Sequence, residues 1–250
     1  MHKFFVPKEN IVGDICTIVG DDVKHIYKVL RLKEGDKVSI NNCEGKEYLA
    51  ELLDINKKEI KANILNELEL NNESNIKVHL FQGMPKATKM DLISQKNTEL
   101  GISTITPVIT ERVVVKNDND FKKVDRWNRI ALEAAKQSKR SLIPTINTAI
   151  TFEELLLKLA TMDLIVVPYE NKEGYGIKNL VNNLDKNKQM KNIAIIVGPE
   201  GGFEEEEILK LEEIGAYIVT LGPRILRTET AGFVALSLLM YELGDLGGVL

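Results

Sequence analysis

Two glycine-punctuated segments near the C-terminus hold the side chains best suited to chemistry. In the first, the β-branched run Ile195-Ile196-Val197 leads into Gly198-Pro199-Glu200-Gly201-Gly202. A strand-like run precedes this loop and a helix-like run follows it. Ligands of open α/β sheets sit at the carboxyl ends of the strands, which is where such a loop lies. The loop is neither GxGxxG nor GxxxxGK[ST], which excludes the dinucleotide fingerprint and the P-loop. Its glycines let a backbone approach a ligand closely. The helix behind it opens with Glu204-Glu205-Glu206-Glu207. Carboxylates there suit the positive end of a helix dipole and repel a phosphate.

The second segment runs Leu221-Gly222-Pro223-Arg224-Ile225-Leu226-Arg227-Thr228-Glu229-Thr230-Ala231, again between a strand-like and a helix-like stretch. Arg227 to Thr230 put a cation, an anion and two hydroxyls side by side. Thr228 or Thr230 as a plain N-cap, with Glu229 as a first-turn acid, accounts for the same residues. Two polar loops pointing the same way favour a ligand site. The acids behind the first loop favour a neutral or cationic ligand over a nucleotide phosphate, and the sulfonium of S-adenosylmethionine fits.

The elements that must position these loops follow from the pattern upstream. Residues 1–70 read as short strands rich in β-branched and aromatic residues: Phe4 to Val6, Ile15 to Val19, Lys37 to Asn41, Tyr48 to Ile55 and Glu59 to Leu65. Turn formers separate them, and one helix, Asp22 to Leu30, interrupts with Val23, Ile26, Tyr27 and Leu30 at helical spacing. A small β-barrel-like domain is expected. The polar run Asn66 to Asn75 marks a boundary. From Ile76, strands at Lys77 to Gly83, Ile102 to Ile109, Leu164 to Pro168, Ile193 to Val197 and Ala216 to Leu221 alternate with helices. The helices are expected over roughly 87–100, 122–139, 151–160, 174–184, 204–214 and 230–243. Such alternation predicts a parallel sheet covered by helices over 76–250.

The net charge of −4 argues against nucleic acid only as an average. Residues 77–140 carry 13 basic and 7 acidic side chains, whereas both flanks are net acidic. This basic segment is a candidate for an anionic partner. Between Asp125 and Arg140, Trp127, Ile130, Ala131, Ala134 and Ser138 share one helical face. Arg129, Lys136 and Arg140 fall opposite, flanked by Arg126. The basic stripe is either solvated surface or a track for phosphates.

Hydrophobic residues at 44% and charged residues at 28% exclude wholesale disorder. Two cysteines, Cys16 and Cys43, and three scattered histidines give no zinc pattern. The N-terminus has no signal-peptide pattern, and the longest apolar run, Ala231 to Met240, is shorter than the roughly 18 residues a membrane span needs. A cytoplasmic protein with reduced thiols, without metal or membrane, is expected.

The pair GPEGGF (198–203) and LGPRILRTETA (221–231) resembles the ribosomal RNA small-subunit methyltransferase E family of the SPOUT superfamily. Further matches run along the chain: His25 to Arg31, Lys96 to Gly101 with Pro107 and Thr110-Glu111-Arg112, and Arg126-Trp127 with Glu133 to Arg140 and Pro144. The resemblance implies an N-terminal PUA-like barrel, a C-terminal α/β domain with a deep trefoil knot, and a homodimer. It implies methylation of N3 of a uridine in 16S rRNA, with S-adenosylmethionine bound by the knot loops. Carried over, the cofactor loops are Pro168-Tyr169-Glu170, Gly198 to Gly202 and Leu221 to Ala231, the first the loosest match, and the cofactor residues within them are Pro168, Gly198, Glu200, Gly201, Gly202, Leu221, Gly222, Ile225, Leu226, Thr228, Thr230 and Ala231. Arg227 and Glu229 become the catalytic candidates. Lys3, which stands where an arginine is expected, joins His25, Arg31, Lys86, Lys89, Arg112, Arg126, Arg129 and Arg140 as RNA-binding candidates. A noncatalytic RNA-binding relative, and a knotted enzyme acting on tRNA or a ribose 2′-hydroxyl, are the alternatives.

Overall fold

In a computed structural model, residues 1–69, 72–86, 88–113, 120–185 and 188–248 are described. Ala87, the expected start of a helix, and Leu70, at the expected boundary, lie outside them. The chain forms two units. The first is Met1–Glu73 with Lys139–Ile143, and the second is Ser74–Ser138 with Pro144–Leu250.

The first unit contains β1 (Lys3–Phe5), β2 (Ile11–Val12), β3 (Ile15–Val19), α1 (Asp21–Lys24), β4 (Lys37–Asn41), β5 (Glu47–Ile55) and β6 (Glu59–Leu68). Its sheet order is β1-β4-β5-β6-β3-β2. Only the β1–β4 pair is parallel. Side chains alternate across a strand, so Cys16 and Ile18, Val38 and Ile40, Ala50 and Leu52, and Ile60 and Ala62 all turn into one core. Val23 and Ile26 close it. The expected helix runs instead as α1 and then a π-helical turn, His25–Leu30, ending at Arg31 with φ of 53°. The wider turn shifts the phase of the apolar stripe, and Tyr27 is left 45% exposed.

The second unit contains β7 (Lys77–Gly83), α2 (Lys89–Glu99), β8 (Thr104–Ile109), α3 (Asp120–Gln137), β9 (Thr145–Ile146), β10 (Ile150–Thr151), α4 (Phe152–Leu159), β11 (Leu164–Pro168), α5 (Ile177–Asn183), β12 (Asn192–Val197), α6 (Glu205–Glu213), β13 (Tyr217–Val219) and α7 (Thr228–Leu243). The strands form a parallel sheet in the order β10-β8-β7-β12-β11-β13, with β9 also on β8. Central β12 is buried on both faces. Ile193, Ile195 and Val197 join residues of α2, α3 and α7, while Ala194 and Ile196 join α4 and α6. The short β9 and β10 had no sequence signal, since two residues show no period. Among the described residues no helix is long and apolar enough to cross a membrane.

One expectation for the basic helix fails. α3 stops at Gln137, and Lys139 turns left-handed with φ of 58°. Arg140 therefore leaves the helical stripe and is 5% exposed within the first unit. Its guanidinium pairs with Glu73 at 2.6 Å. Glu73 also accepts the N–H groups of Ser141 and Leu142 at 2.7 and 2.9 Å, and Asn41 donates to the Ser141 carbonyl at 2.9 Å. Arg140 is a structural clasp, buried by its ion pair, and not an exposed phosphate contact.

Candidate functional site

The parallel sheet delivers Pro168, Val197 and Val219 to its carboxyl edge, and the three loops that follow them meet there. They enclose a cavity of about 350 Å³ lined by Pro168, Glu170, Gly198, Glu200, Gly202, Phe203, Ile225, Leu226, Arg227, Thr228 and Ala231, with Lys89 from α2. A smaller lobe of about 90 Å³ shares Pro168, Glu170, Ile225, Leu226 and Ala231, and adds Tyr169, Thr220, Leu221, Gly222 and Arg224. A concave, mixed apolar and polar site of this size suits a small-molecule cofactor. Among the described residues no group of acids, histidines or cysteines is placed to hold a metal ion.

The loops are held by side chains outside the cavity. Arg112 forms a two-pronged pair with Glu204 at 2.5 and 2.8 Å and donates to the Gly201 carbonyl at 3.0 Å. Its guanidinium holds the Glu204 carboxyl below the usual carboxylate range. Glu207 accepts the N–H groups of Glu204 and Glu111 at 2.9 and 3.1 Å. Half of the acidic run thus ties the loop down. Gly201 corrects the expectation that its missing side chain makes room for a ligand. A Cβ there would stand 3.1 Å from the Cβ of Arg112, so the space is already taken by protein.

Thr228 joins the last loop to the sheet. Its hydroxyl donates to the Gly198 carbonyl at 2.5 Å and accepts from the Gln82 amide at 2.8 Å. Arg227, not a threonine, is the N-cap of α7, and its carbonyl receives the N–H groups of Thr230 and Ala231. Its own side chain is exposed on the cavity wall. Glu229 is 8% exposed and does not line the cavity. It lies behind Lys89, whose ammonium bridges Glu200 at 3.0 Å and Glu229 at 3.2 Å. Those carboxylates hold the Lys89 pKa above its ordinary value, the Glu200 hydrogen bond most of all. Burial pushes Glu200 up, but the Lys86 N–H, its own N–H and Lys89 outweigh it and leave it low.

Of the expected cofactor residues, Gly201 and Thr230 alone fall outside the cavity lining; Thr230 belongs to the first turn of α7. Lys89, expected at RNA, is a wall of the cavity itself, and Glu170, which the resemblance put in the cofactor loop after Pro168, lines both lobes. Lys89 carries no spacing signal for this role, because only the tertiary fold brings α2 to these loops. Among the remaining RNA candidates, His25, Arg31, Lys86 and Arg129 are exposed. Arg126 is exposed and pairs with Asp91. Lys3 is largely withdrawn into an ion pair with Glu47.

The comparisons define the class first. An RNA methyltransferase domain matches residues 72–240, and an RNA methyltransferase PUA domain matches residues 18–65. Ribosomal RNA small subunit methyltransferase E of Bacillus subtilis is 37% identical, with 97% of each chain covered. The chain belongs to the ribosomal RNA small subunit methyltransferase E family. Among solved structures, that of the Neisseria gonorrhoeae enzyme bound to S-adenosyl methionine aligns at a TM-score of 0.81 and 31% identity, covering 98% of this chain and 99% of that one. A putative methyltransferase from Legionella pneumophila, in complex with its bound cofactor, aligns at 0.81 and 33% identity, covering 97% and 98%.

Proposed function

We propose that this chain transfers a methyl group from S-adenosylmethionine to N3 of a specific uridine in the 16S rRNA of the small ribosomal subunit. The observation that carries this reading is the convergence of the loops after β11, β12 and β13 on one cavity that Lys89 and Arg227 also line. The cofactor, when bound, supplies an electrophilic methyl group. Pro168, Gly198, Gly202, Leu221, Gly222, Ile225, Leu226 and Ala231 would hold it.

The chain's own residues supply position and charge. Uracil N3 must lose its proton before or during attack, and negative charge then spreads to the ring oxygens. Arg227 donates to one of those oxygens, since its guanidinium is free of ion pairs among the described residues. Lys89 presents its ammonium to the same cavity, oriented by Glu200 and Glu229. Glu229 acts through Lys89 as a positioning residue. The target base must be unstacked or already single-stranded to enter. His25, Arg31, Lys86, Arg126 and Arg129 would hold phosphates.

The knot and the homodimer belong to the same proposal. β13 lies at the sheet edge beyond β11, yet α7 begins at Thr228 against Gly198 and Gln82 in the middle of the sheet. A return of that kind fits a chain threaded past the β11 loop. Exposed Leu238 and Tyr241 on α7 fit a helix that packs on a second copy. Incubation with unmethylated small subunits, followed by mass mapping, tests the activity. A single methyl group on the base of one 16S uridine is expected. Methylation of a ribose hydroxyl, of tRNA, or of nothing would overturn it.

A further inference from the structure

The carboxylates around the cavity are not equivalent. Glu200 is engaged by Lys89 and by the Lys86 N–H, and Glu229 sits behind Lys89. Glu170, two residues beyond the end of β11, is exposed and lines both lobes. Among the described residues no cation stands within ion-pairing distance of it. Arg224 and Arg227 line the same lobes but do not pair with it. Its carboxylate lies beside the glycine loop. Gly202 has φ of +71°, and a Cβ there would lie 2.8 Å from the Glu170 Oε1. The carboxylate is thus packed against the loop, with its charge left uncompensated where the two lobes join.

We propose that Glu170 is a specificity-determining residue that selects a cationic cofactor over its neutral product. The inference rests on the cofactor reading above and deepens it. A carboxylate attracts a sulfonium or ammonium across several ångströms of partly screened space, and gains nothing from a neutral thioether at the same place. When the methyl group bonds to N3, the S–C bond breaks with its electron pair left on sulfur, and the N3 proton is passed to solvent water. The positive charge on the cofactor disappears in that step. Glu170 therefore favours the cofactor before transfer and relaxes its hold on the spent molecule afterwards. Glu200 and Glu229 share the Lys89 ammonium, whereas Glu170 has no cationic partner among the described residues.

Calorimetry on the full chain tests this with three probes: S-adenosylmethionine, S-adenosylhomocysteine, and sinefungin, which carries an amine where the sulfonium methyl stands. Glu170→Gln keeps the shape and removes the charge. The variant should bind the two cationic probes roughly tenfold more weakly. Its affinity for S-adenosylhomocysteine should be unchanged, which also reports a folded site. An equal loss for all three would overturn the proposal, because the carboxylate would then contact a part common to them, such as a ribose hydroxyl. No loss for any probe would overturn it as well. Failure of the wild-type chain to bind any of the three would instead overturn the cofactor reading itself.

Discussion

At the scale of single residues, the site separates groups that meet a ligand from groups that hold the walls. Arg227 is exposed on the cavity wall, and a cation has no role in holding a positively charged sulfonium. Arg227→Ala should lower single-turnover methylation of small subunits by roughly 10²–10³, the scale for one preorganised donor, with cofactor affinity much less affected. Lysine should restore only part, because it keeps the charge without the fork. Parallel loss of binding and turnover would make Arg227 a loop-shaping residue. Thr228 is the opposite case. Thr228→Val leaves the Gly198 carbonyl and the Gln82 amide without their shared hydroxyl. A loss of about 1–3 kcal/mol in urea denaturation is expected, with weaker cofactor binding because the last loop is no longer tied to the sheet.

At the scale of elements, the basic helix divides into two roles. Arg126 and Arg129 are exposed on α3, so the double alanine variant should bind RNA more weakly, with the slope of log affinity against log salt shallower by about 1–2. An unchanged slope would reduce the stripe to solvated surface. Arg140→Ala should behave differently, since it strands Glu73 beside a buried clasp. Removing one partner of a buried pair costs about 3–5 kcal/mol, read as a shifted unfolding midpoint. The helical period placed Arg140 on the stripe correctly for a continuous helix. What it could not contain was the left-handed Lys139, which ends the helix and diverts the chain into the first unit.

At the scale of the whole molecule, pH and thiol chemistry report the fold. Burial pushes Glu200 up, but hydrogen bonds and Lys89 leave it low; Arg112 lowers Glu204, and the N–H groups of Asn192 and Lys191 lower Asp163. Depressed carboxylates contribute stability that is full above their ordinary values and lost as pH falls through the folded ones. Cys16 has the opposite sign, because burial raises its thiol from 9.0 to about 11. That contribution is full below 9.0 and lost as pH rises toward 11. Burial also holds His79 below its ordinary 6.5, so its contribution begins to be lost as pH falls below 6.5. Melting temperature should therefore be highest between about pH 6.5 and 9, decline below that range, more steeply below about pH 4.5, and fall above about pH 9. In the native protein a maleimide should modify partly buried Cys43 and spare buried Cys16 until denaturant is added. The sequence by itself determined the alternation of strands and helices, the parallel sheet and the two glycine loops, because those depend on local period and turn chemistry. Only the tertiary structure decided that Lys89 belongs to the cavity, that Gly201 yields its space to Arg112, and that Arg140 is buried. Each of these depends on contacts between residues far apart in the chain, and such contacts leave no periodic trace in the residues that make them.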